Sequence, residues 1–187
     1  MKNRDLYKEK SMNKTQINSD SEQSETEAGS TKEIILYKNL LKEISDTLTS
    51  IIQNNKKNKY GKNDKSPFVH QHAPKISIFD YLLRIQKYSN IENSTFIIAL
   101  IYIDRICHKK GIVLTKYNIH RILFTAILIG LKYNEDIIYD NLFYSKIAGV
   151  TIKELLDLEN SFLEIIDFDL FVSDDIYQKY SEYLDFK

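Results

Sequence analysis

Residues 122–136 read ILFTAILIGLKYNED: ten apolar or small residues, then Lys132, then the acidic pair Glu135 and Asp136. A helix apolar around most of its circumference has to be surrounded by others. The run is also too short to span a bilayer, which needs about 18 apolar residues. A second run of this kind, FIIALIYI at 96–103, calls for the same burial. The fold is therefore expected to have a centre, one or two helices wrapped by the rest.

The wrapping elements carry start and stop signals. Ser77 with Asp80 resembles a capping box and opens IFDYLLRIQKYS, while Asn93 or Ser94 can cap the next helix, which stops at Gly111. Thr115 is expected to cap the central helix. Asp140 starts NLFYSKIA before Gly149, and Thr151 with Glu154 forms a second capping box ahead of IKELLDLENSFLEIIDF. Ser173 opens a last short helix. No segment shows the sustained alternation of a half-buried strand, so the class is all-α.

N-terminal to this set, residues 1–31 are polar and low in complexity, with too little apolar surface to offset the entropy of ordering, and are expected to be disordered. Ile34, Tyr37, Leu41, Ile44, Leu48 and Ile51 then recur at spacings of three and four, which predicts an amphipathic helix over 32–53 packed on the main domain. Residues 54–74, basic and containing two prolines, read as a linker, leaving 75–187 as the main domain with its short C-terminal helix.

The 187 residues suit one core of ordinary size, and the 26 basic residues balance the 26 acidic ones. No global field recommends nucleic acid or an anionic membrane as partner. The single cysteine, Cys107, excludes an internal disulfide and, with no signal-like N-terminus, predicts an intracellular protein, cytoplasmic or nuclear. There is no Gly-rich phosphate loop, nucleophile elbow or CxxC, so no enzyme signature, and neither a cofactor nor a metal is expected. His70 and His72 form an HxH that lacks the further aligned ligands a metal needs.

Two carboxylates are out of place. On a wheel of the 151–167 segment Glu159 lies within the apolar half, between Ile152, Leu163 and Ile166. An unpaired buried carboxylate is costly, so Glu159 has to meet a cation or lie where a partner's cation arrives. Lys132 is the natural companion, although a lysine there also favours the helix C-terminus by less than about 1 kcal/mol. Asp104 is embedded in the same way. A pair with Arg84 or Lys75 would make Asp104 and Arg84 core-locking residues.

The order of the pieces brings in a resemblance. ISIFDYLLRIQKY, IIALIYIDRI, LTKYNIHRILFTAILIGLKYNED and NLFYSKIAGVTIKELLDLENSFLEIIDFDL together resemble a cyclin box over about 75–170. YIDR is shared widely among cyclins. NIHRILFTA, FYSKIAGV and ELLDLENSFL resemble more narrowly the P-type (Pho80-like, phosphate-system) cyclins. The resemblance implies a five-helix bundle with a buried third helix, acting as a regulatory subunit that binds and activates a cyclin-dependent protein kinase as a heterodimer. It places Lys132 and Glu159 against the mobile kinase helix, with apolar contacts at Ile129, Tyr133, Leu163 and Phe168. The stretch PKISIFDYL lacks the arginine-containing docking patch of cell-cycle cyclins, so no substrate-docking function is carried over. A single box is expected, without a second five-helix repeat. The alternative is a cyclin-fold adaptor that binds a partner without activating a kinase.

Overall fold

A computed structural model of the chain describes the backbone of residues 19–55 and 66–186, with side chains from residue 36 onward. Among the described residues there are seven helices and no strand: α1 (Ser19–Asn55), α2 (Ile78–Ser89), α3 (Asn93–Lys110), α4 (Ile119–Asn134), α5 (Asn141–Ala148), α6 (Ile152–Ile166) and α7 (Asp174–Tyr183). The chain divides into two compact units, Met1–Lys38 and Asn39–Lys187. The described part of the first consists only of the opening turns of α1.

Helix α1 starts well before the helix expected over 32–53. Part of the stretch expected to be disordered, from Ser19, has helical backbone; residues 1–18 lie outside the described residues. Glu, Gln and Ala in that stretch are good helix formers, and propagation from an established helix costs far less than nucleation. In the second unit α1 buries Leu40, Leu41, Ile44, Leu48 and Ile52. Ile51, expected in the stripe, is instead partly exposed at its rim. The Asn55 side chain closes the packing by donating to the Leu114 carbonyl at 3.2 Å.

Of the linker expected over 54–74, residues 56–65 lie outside the described residues, and the remainder is not a free strap. Phe68 is 1% exposed and meets Phe162 edge to face at 6.1 Å between ring centres. Arg121 on α4 fixes the strap by donating to the Pro67 carbonyl at 2.7 Å and to Glu154 at 3.0 Å. His70 N–H donates to the Tyr117 carbonyl. A single aromatic among polar residues gives no periodic signal, so its burial could not be read from pattern.

The centre is as expected. Helix α4 is buried continuously from Ile122 to Leu131, and α3 from Thr95 to Ile103. These two helices pack along each other, α6 crosses both, α7 lies on α3, and α5 joins α2 to α6. The capping box Thr151–Glu154 is complete, and the Thr151 N–H and hydroxyl hold the Glu154 carboxyl below the usual carboxylate range. Helix α3 departs from expectation. Neither Asn93 nor Ser94 caps it; Glu135, from beyond the end of α4, accepts from Glu92 N–H at 3.2 Å and from the Thr95 hydroxyl at 2.6 Å. A carboxylate from another element thus serves the positive end of α3. At α4 the cap falls at Asn118, whose side chain accepts from Thr115 N–H at 2.8 Å. Among the described residues no helix is long and apolar enough to cross a membrane.

Candidate partner-binding site

Helix α6 carries more apolar surface than the core uses. At about 100° per residue, Leu155, Leu158, Phe162 and Ile166 form one stripe, all buried. Beside it Ile152, Leu156, Glu159 and Leu163 form a second, and there Ile152 and Leu156 stay 42% and 41% exposed. Glu159 is thus the charged member of an apolar stripe at the edge of the core, exposed at Ile152 and Leu156 and half-buried at Leu163.

The last turn of α4 brings Lys132 to that stripe. Its Nζ donates to both carboxylate oxygens of Glu159, at 2.6 and 2.9 Å. The side chains are 26% and 13% exposed, so the pair is largely desolvated yet open on one side. Both sequence readings of Lys132 hold at once, because it ends α4 and neutralises Glu159. Around the pair, Tyr133 is 54% exposed and Leu163 half-buried. Ile129 departs from its expected place at the surface. At 3% exposure it is buried in the core and offers a partner no surface of its own.

Phe168 is presented by a constrained turn. Asp167 and Phe168 both take left-handed backbone, φ 62° and 53°, which disfavours residues with a Cβ. Three long-range donors hold this conformation. Arg105 on α3 donates to the carbonyls of Asp169 and Phe171 at 2.7 and 2.8 Å, Lys109 to that of Ile166 at 2.7 Å, and the Tyr102 hydroxyl to that of Leu170 at 2.7 Å. Phe168 is left 67% exposed. Sequence reasoning singled out Phe168 but missed Arg105, whose signal was its place in YIDR, directly beside Asp104. Also missed were the exposed Ile137, Ile138 and Tyr139 between α4 and α5. Exposed apolar side chains gathered in this way mark interaction surfaces.

Asp104 and Arg84 are not brought together. The Asp104 carboxylate accepts from the Tyr180 hydroxyl at 2.8 Å and lies 3.3 Å from His108 Nδ1. Burial, reinforced by that carboxylate, pushes the Tyr180 phenol up from its ordinary pKa. Arg84 donates instead to the Lys146 carbonyl on α5 at 3.2 Å. The cause is direction: this position of α3 faces α7, a late element the local pattern could not place. Lys75 is exposed. Among the described residues no group of three His, Cys, Asp or Glu side chains could hold a metal ion.

Helix order, the buried α4 and the crossing α6 define the class, a cyclin-box helical bundle. The cyclin family model matches residues 7–170, and the chain belongs to the cyclin family. It is 37% identical to Cyclin-U4-1 of Arabidopsis thaliana over 112 residues, 59% of this chain and 55% of that one. It is 38% identical to PHO85 cyclin-7 of Saccharomyces cerevisiae over 129 residues, 63% of this chain and 45% of that one. With PHO85 cyclin-like protein psl1 of Schizosaccharomyces pombe it shares 39% over 119 residues, 63% of this chain and 49% of that one. The chain spans about half the length of the curated relatives it matches.

Proposed function

We propose that this chain is the regulatory subunit of a cyclin-dependent-type protein serine/threonine kinase, with no active site of its own. The observation that carries the reading is the second apolar stripe of α6, exposed at Ile152 and Leu156 and carrying the largely desolvated Lys132–Glu159 pair. Apolar neighbours supply area there, and the charged pair fixes orientation. Tyr133, Leu163 and Phe168 complete the contact surface, while Ile129 is buried in the core. The chain and the kinase form a heterodimer in the cytoplasm or nucleus, without nucleic acid or membrane. The relatives named PHO85 cyclins support the P-type, Pho80-like subfamily for this chain.

Activation is a population shift. The chain binds the kinase conformation whose mobile helix is turned inward, so that the helix glutamate pairs with the ATP-binding lysine. The gain in activity is bounded by the difference in affinity for the two kinase states.

The test is a pull-down from lysate of the chain's own organism, with kinase identification and activity of the eluate, using Lys132→Glu as control. Recovery of an active cyclin-dependent-type kinase by the wild type, lost with the variant, is the expected result. A partner set without kinases, or one indifferent to the variant, would instead make the chain an adaptor built on the same fold.

A further inference from the structure

A cavity of about 460 Å³ lies between α1, α3, α7 and the segment that follows α3. No residue of α4 or α6 lines it, so it is separate from the Lys132–Glu159 site. Protein interiors pack with few voids larger than a water molecule. Two hydrogen bonds fix the walls of this one. Asn55 donates to the Leu114 carbonyl at 3.2 Å and pins the end of α1, while the Tyr180 hydroxyl donates to Asp104 at 2.8 Å and sets α7 against α3. Leu48, Leu100, Ile103 and Leu114 form the floor and are at most 6% exposed. Ile51 and Tyr183, both exposed, stand at the mouth. A mostly apolar wall with a few polar groups, at this volume, has the character of a small-molecule site.

Which molecule it takes follows from the polar groups. Asp104, the one carboxylate of the lining, is already satisfied, since it accepts from Tyr180 and has His108 Nδ1 at 3.3 Å. Cys107 is neutral, its thiol pushed up to about 11 by burial and by Asp104, and it adds apolar surface instead of charge. Lys179 is the charged group left over. It is exposed at the mouth and has no ion-pair partner among the described residues. Charge and lining together complement a molecule with an apolar body that enters to the floor and an anionic end that stays at the rim. Lysine can hold that end by a charge-assisted hydrogen bond while its own head remains in water. A cationic amphiphile would meet Lys179 as a like charge and find Asp104 occupied, and a wholly apolar molecule would leave Lys179 unused.

We propose that the cavity between α1, α3 and α7 is a binding site for a free medium-chain carboxylic acid, its alkyl chain packed on Leu48, Leu100 and Ile103 and its carboxylate held by Lys179. The ligand ties α1 and α7 to α3, so occupancy stabilises the folded chain and raises its Tm with ligand concentration. The site is independent of kinase binding, and its test stands whether or not the kinase reading does.

The experiment uses the full chain and parinaric acid, an apolar carboxylate that fluoresces when buried, with decanoate and methyl decanoate as competitors. Cys107 lines the cavity and is the single cysteine of the chain, so its alkylation by N-ethylmaleimide reports occupancy of this place and no other. Decanoate is expected to displace the probe and to slow Cys107 alkylation over the same concentration range. Affinity should rise about fourfold for each methylene added between octanoate and decanoate. Lys179→Met keeps an apolar stem and should weaken decanoate about threefold to fivefold, while methyl decanoate changes by less than about twofold. Lys153→Met, the same loss of charge at an exposed position of α6, should change neither. Ile51→Trp, at the mouth, should weaken both at least about tenfold by filling the entrance, with circular dichroism unchanged. Absence of displacement overturns the proposal. Displacement that leaves the Cys107 rate untouched does so too, because it puts the binding elsewhere on the apolar surface. Decanoate affinity indifferent to Lys179→Met, or tighter binding of decylamine, which would assign the cavity to cations at Asp104, equally overturns it.

Discussion

Exchanging the charges of Lys132 and Glu159 separates what this pair does for the fold from what it does for a partner. Exposed ion pairs contribute about 0 to 1 kcal/mol, whereas breaking a fully buried one costs about 3 to 5 kcal/mol. With side chains 26% and 13% exposed and two Nζ contacts within 3 Å, this pair falls between the limits. We expect Lys132→Glu or Glu159→Lys to cost about 2 kcal/mol, since each leaves two like charges in contact. For a chain of this size that is a fall in Tm of about 4 to 8 °C. Total stability of about 5 to 15 kcal/mol keeps either single variant folded. The double exchange restores an internal pair, and we expect it to recover most of the lost Tm. It also inverts the polarity a partner meets. Kinase affinity is therefore expected to fall at least severalfold in each single variant and to stay low in the exchange. The assays are thermal unfolding of the free chain and titration against the kinase recovered in the pull-down. If the exchange restores affinity together with Tm, the pair acts only by holding α4 to α6. If neither single variant moves Tm, the bridge does not form in solution.

Burial and the Asp104 carboxylate push the Cys107 thiol up to about 11, so at pH 8 its alkylation should run about a hundredfold slower in the folded chain than in denaturant; equal rates would show that α3 does not shelter it. Burial lowers the His120 pKa, while its Nε2 donates to the Ile76 carbonyl at 3.0 Å. The unfolded chain thus binds this proton first: stability should be flat above about pH 6.5 and decline as pH falls below it, by at most about 1.4 kcal/mol per pH unit, and His120→Gln should remove that decline in urea titrations. Phe68→Ala should cost about 3 to 5 kcal/mol by denaturant unfolding, where a solvated linker residue would cost under about 0.5 kcal/mol. Arg105→Ala should weaken kinase binding by loosening the turn under Phe168, with hydrogen exchange rising at 167–171; faster exchange with unchanged affinity would place Phe168 outside the contact.

Local chemistry told most of the fold. Helix caps act over three or four residues, which is why Ser77, Asp140 and Thr151 mark their helices correctly. Runs at 96–103 and 122–131, apolar on every face, leave burial as the only outcome, and those helices are the centre. The strangeness of Glu159 was equally local, one carboxylate inside an apolar half-wheel. Its meaning was not. The wheel showed a single wide apolar half, and only the packing of α6 across α3 and α4 divides it into a buried stripe and a partly exposed one.

What the sequence by itself determined is therefore the helical class, the order of elements, the buried centre and the suspicion attached to Lys132 and Glu159. Tertiary structure alone decided which distant groups meet. It sent Asp104 to Tyr180 and Arg84 to the Lys146 carbonyl, docked Phe68 on Phe162, and placed Glu135 at the start of α3. The physical reason is range. Periodicity and capping report interactions within a turn or two of chain, whereas these partners are chosen by how whole helices pack, and no local pattern records that choice.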